Sequence, residues 1–169
     1  MRLNNSLNML FLQYKIENID LIPHDDAYPI WQKEDTVGRK YWGIGAFWGL
    51  DSNPIEATQD LSQLEWDGNE LYLDAQTDDE VMAILTKMVG ILKYWKTFLE
   101  SNYCETPFYL FASYDNGDMQ IVEDDELPTR SVVLRFWADR KTDTVIDFDS
   151  FDDWDQPSIV EYCNFVPLT

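Results

Sequence analysis

The sequence predicts an α+β fold in which a mostly antiparallel β-sheet packs against one long amphipathic helix. Three observations lead there. A capping box opens an apolar stripe of helical period after Thr77, two turn signals sit between alternating apolar runs, and aromatic-rich strand-like runs flank the helix on both sides. With 169 residues, 45% hydrophobic and 15% aromatic, the chain has the material for one core. A single domain spanning residues 1–169 is expected, folding without metals or disulfides.

Residues 8–16 and 41–50 read as strands from their aromatic and β-branched content, with a turn-prone stretch carrying Pro23 and Pro29 between them. Asp67-Gly68 lies between Gln63–Trp66 and Asn69–Leu73, which predicts a tight hairpin. Thr77 and Glu80 form the capping box, and Asp78 and Asp79 favour the positive end of the helix dipole. Val81, Leu85, Met88, Leu92, Trp95 and Leu99 follow at helical spacing, widened by Ile84, Ile91 and Phe98. The stripe predicts one helix over about 78–101 with its apolar face in the core. Asn116-Gly117 between Phe108–Tyr114 and Met119–Val122 predicts a second hairpin, and Ser131–Trp137 and Thr144–Phe148 read as two further strands.

Charge is the extreme property, with 32 acidic against 12 basic residues and a formal net charge of −20. Such a field repels nucleic acid and anionic lipid and attracts cationic surfaces. It is also uneven: residues 51–80 hold ten acids and no base, and residues 115–169 hold fourteen acids against four bases. The helix dipole accounts for Asp78-Asp79-Glu80. Two dense runs remain, Glu123-Asp124-Asp125-Glu126 and the segment from Asp147 to Asp155. In the second, Phe148, Phe151 and Trp154 recur every three residues among Asp147, Asp149, Asp152, Asp153 and Asp155. Aromatic anchors ringed by charge have the composition of a protein–protein hot spot. A short helix or turn whose aromatics pack inward while its aspartates face water accounts for the same pattern. Both runs are the predicted partner-binding residues.

Catalytic signatures are missing. His24 is the only histidine and sits in a turn-like Pro23-His24-Asp25-Asp26 without a nucleophile motif. Cys104 and Cys163 are too few for a disulfide framework, and with one histidine they do not make a zinc site. The glycines of Gly43–Gly49 have the wrong spacing for a dinucleotide or phosphate loop and read as close packing around a strand. The aspartates after Asp147 lack the glycine and terminal glutamate of an EF-hand. No catalytic residue, cofactor or metal is expected. Lys87, Lys93 and Lys96 argue against a membrane span over Val81–Leu99, and the asparagines at Asn4 and Asn5 interrupt any signal core. The expectation is a cytoplasmic protein with reduced thiols, which makes the glycosylation sequon at Asn4 fortuitous.

A small acidic α+β chain with abundant aromatics and no active-site motif resembles, in composition, the bacterial immunity proteins of polymorphic toxin and contact-dependent growth inhibition systems. The resemblance implies stoichiometric inhibition of a cognate toxin, often a cationic nuclease, whose phosphate-gripping lysines and arginines carboxylates can occupy. Its partner is then a basic protein, with no direct binding to nucleic acid or membrane. Two other readings stay open: a DNA mimic directed at a nucleic-acid enzyme, and an enzyme or ligand carrier with a pocket between sheet and helix.

Overall fold

The computed structural model describes residues 2–14, 29–45, 55–117, 129–141, 146 and 148–163. A two-residue strand, β1 (Arg2–Leu3), leads into helix α1 (Asn5–Gln13), and a hairpin of β2 (Ile30–Glu34) and β3 (Lys40–Ile44) follows. Helix α2 (Leu61–Gly68), strand β4 (Leu71–Ala75) and the long helix α3 (Asp78–Asn102) come next. Strands β5 (Phe108–Asp115), β6 (Arg130–Ala138) and β7 (Ser158–Cys163) complete the described elements, with a single 3-10 turn at Phe151–Asp153 before β7. The main sheet has the order β1-β7-β5-β6-β4 and every neighbouring pair is antiparallel.

Helix α3 starts where its capping box lies. Thr77 Oγ accepts from the Glu80 N–H and the Glu80 carboxylate accepts from the Thr77 N–H. Its stripe buries Leu85, Met88, Leu92 and Trp95 against the sheet, with Trp95 edge-on to Phe136 at 5.4 Å. Each such side chain contributes about 1.5–3 kcal/mol relative to exposure. This helix and the antiparallel sheet beneath it are the fold that the periodicity predicted.

Two local readings are corrected. Residues 8–13 are helical, because Asn4 Oδ1 accepts from the Leu7 N–H as an N-cap and Leu7, Leu10, Phe11 and Tyr14 then share one inward face. The run is apolar without alternation, which fits helix as well as strand, and Met9 and Leu12 are left in solvent. The Asp67-Gly68 hairpin does not form either. Asp60 caps α2 by accepting from Ser62 and Gln63, Gly68 is the last helical residue, and β4 finds its partner in the distant β6, with Leu71 opposite Leu134.

Other boundaries shift less. The strand expected over 41–50 spans Lys40–Ile44, and residues 46–50 lie outside the described residues. In it, the Trp31 ring lies so close to Gly43 that a Cβ there would come within 2.1 Å of the ring, so the close packing expected of this stretch is found at Gly43. The second hairpin's arm at 119–122 also lies outside the described residues, and both edges of β5 are taken by β6 and β7. Of Thr144–Phe148 only Ile146 and Phe148 are described, and neither is in a strand.

Both sheet faces are apolar, and that positions the site. Phe108, Leu110, Ala112 and Tyr114 of β5 face α3, whereas Phe111 alternates to the opposite side. There it joins Trp137, Val160, Ile146 and Phe151 in a second cluster, against which Trp66, Tyr109, Phe148 and Trp154 pack.

Candidate partner-binding surface

The segment 148–156 crosses the sheet face that α3 leaves uncovered. Phe151 enters the second cluster completely and Phe148 stacks on Tyr109 at 5.0 Å, so the three-residue aromatic spacing is an inward-packing pattern. Asp149, Asp152, Asp153 and Asp155 are exposed beside them. Trp154 is intermediate: its ring meets Phe151 at 5.2 Å and Phe111 at 6.2 Å, its indole N–H donates to Ser150 Oγ, and the rest is accessible.

The N-terminal residues hold this segment in place. Buried Asn4 donates to the carbonyls of Trp154 and Gln156 while its Oδ1 accepts from the Ser158 N–H at 3.0 Å. Asn5 donates to the Asp152 carbonyl and Ser6 to that of Trp154. Arg2 pairs with Asp152 at 2.9 Å, and its guanidinium lies 5.2 Å over the Phe151 ring. Asp153 and Asp155 make no ion pair among the described residues.

Between this segment and α2 the sheet face opens into a trough of about 520 Å³. Trp66 and Tyr72 stand on one side, Trp154 on the other, and Phe111 and Val133 lie in the floor. Arg135 also lines it, but its charge is met within the wall: it is ion-paired to Glu70 and sits 4.7 Å over the Trp66 ring. Sequence reading singled out Trp154 and missed the rest, because the trough residues come from α2, β4, β5 and β6 and meet only through strand pairing. The available signal was the run Phe108–Phe111 at the start of β5, apolar or aromatic on both alternating faces.

Of the predicted partner-binding residues, Asp149, Asp152, Asp153, Trp154 and Asp155 therefore share one anchored loop. Glu123, Asp124, Asp125, Glu126 and Asp147, like His24, lie outside the described residues. Among the described residues no group of His, Cys, Asp or Glu side chains is arranged to hold a metal ion, and no helix is long and apolar enough to cross a membrane. Burial pushes the Cys163 thiol up to about 12, the reverse of an activated nucleophile. Burial and a hydrogen bond to Asp139 raise the Tyr162 phenol to about 12 as well.

Comparison with protein-family models, with curated proteins and with solved structures finds no match.

Proposed function

We propose that the protein is a stoichiometric binder of a basic protein, in the manner of an immunity protein that neutralises a cognate toxin, and not an enzyme. One observation carries the reading: a loop tied down by residues 2–6 holds four exposed aspartates around a half-buried Trp154 at the mouth of an aromatic trough. Anchoring the loop in advance lowers the ordering cost of association. The aspartates steer a cationic surface and set the on-rate, and the indole sets residence time. The cytoplasmic setting of such proteins belongs to the same proposal.

The test uses the partner captured on immobilised full-chain protein from native lysate and then purified. Asp153→Asn with Asp155→Asn is the informative pair, since Asp152 is engaged by Arg2. Association should slow and its salt dependence flatten, whereas Trp154→Ala should accelerate dissociation about tenfold or more, as for a hot-spot aromatic. Melting temperatures report whether each variant is folded. Unchanged rates in both folded variants would remove this loop from the interface.

A further inference from the structure

We infer that the trough is a slot for a single arginine side chain of that partner. The inference rests on the proposed binding of a basic protein and names the group it presents. Strand register supplies the first evidence. Ser131 of β6 lies directly opposite Asp115 of β5 on one side and Asp74 of β4 on the other, so a serine hydroxyl sits between two carboxylates in one row across three strands. Opposed Cβ atoms are about 5 Å apart, which places the Cβ atoms of the two aspartates roughly 10 Å apart across Ser131. All three are on the face turned away from α3, since their neighbours Tyr114, Val132 and Ala75 belong to the main core.

The second evidence is independent of charge. Ser113 and Ser131 line the trough, each only 7% exposed, and neither hydroxyl has a hydrogen-bond partner among the described residues. Both hydroxyls open to the trough, so the floor offers hydrogen-bonding groups to whatever enters it. The lining also selects the sign. Its cation, Arg135, is neutralised by Glu70, so an incoming carboxylate meets no uncompensated positive charge while an incoming cation meets Asp115.

Arginine fits better than lysine. A planar guanidinium stacks on aromatic rings and directs several N–H donors in its own plane, whereas an ammonium is a compact point charge. The walls here are Trp66, Tyr72 and Trp154. The same face already holds one such arrangement in Arg135, laid over Trp66 and bonded to a carboxylate.

The probe is the peptide acetyl-Gly-Arg-Gly-amide, titrated at low salt into the nitrogen-labelled full-chain protein, with its citrulline and lysine counterparts as controls. The arginine peptide should shift the amides of Ser113 and Ser131 and the indole N–H signals of Trp66 and Trp154. The citrulline peptide should leave them in place, and the lysine peptide should bind several-fold more weakly. Asp115→Asn, which keeps the Oδ1 that accepts from Gly117, combined with the exposed Asp74→Asn should weaken binding about tenfold. An unchanged pattern of unliganded resonances confirms that this variant is folded. Equal binding of citrulline or lysine, shifts confined to residues 148–155, or no shifts overturn the slot. The loop reading fails differently: there, the Asp153 and Asp155 variants would bind the partner unchanged while the peptide shifts at Ser131 persisted.

Discussion

Arg140 grips the carboxylate of Glu65 through both terminal guanidinium nitrogens, at 2.6 and 2.9 Å, and Glu65 is fully buried. The same carboxylate accepts from the backbone N–H groups of Trp42 and Ala138, so one side chain ties α2 to β3 and β6. Burial raises its pKa in spite of these donors, which means the ionised form depends on Arg140. Arg140→Met should therefore strand a buried charge and lower stability by about 3–5 kcal/mol in urea denaturation. A loss below about 1 kcal/mol would show that the pair is dispensable.

Lys96 of α3 reaches across to Glu161 of β7 and pairs with it, with Glu100 also within 3.9 Å. Burial opposes the Glu161 charge, but hydrogen bonds and positive charge at the carboxylate, those of Lys96 foremost, together outweigh it and hold the carboxyl below its ordinary 4.5. The group gives up its proton more readily in the folded chain. Its stabilisation is complete above 4.5 and is lost as the pH falls through the lower folded value. Melting curves from neutral to acid pH should show wild type declining more steeply than Glu161→Gln, with the gap between them closing at the acid end. Parallel curves would contradict the assignment.

Asn4 fills its hydrogen-bonding capacity inside the protein, capping α1 and fastening Trp154, Gln156 and Ser158. Asn4→Ala should cost about 3 kcal/mol, from a lost N-cap and newly unsatisfied backbone groups. Amide exchange should accelerate at residues 154–158 more than in β6. Uniform exchange would mean that the loop does not depend on this anchor. Its burial also keeps the sequon beyond the reach of glycosylation in the folded protein.

Cys104 is exposed, whereas Cys163 is buried with its thiol raised to about 12 by that burial. Iodoacetamide at mildly alkaline pH should label one thiol in the native protein, Cys104, and both after denaturation. Peptide mapping that finds Cys163 modified natively would place β7 at a fraying edge.

The Thr77–Glu80 box and the stripe to Leu99 determined α3 by themselves, since a capped helix with an apolar face is specified by spacing within a few turns. The order of strand-like runs on either side of that helix pointed to the α+β class, and composition gave the net charge of −20. Tertiary structure decided what local patterns left ambiguous. Asp67-Gly68 closes a helix that Asp60 caps and whose Glu65 is held by Arg140, 75 residues further along the chain, while β4 pairs with the distant β6, none of which the dipeptide signals. The three-residue aromatic spacing before Trp154 reads as either anchor or core until Phe151 finds Phe111 and Val160. The trough was invisible for the same reason: Tyr72, Asp115 and Ser131 come together only through strand register, and register is set by the burial of whole faces, not by the residues that end up side by side.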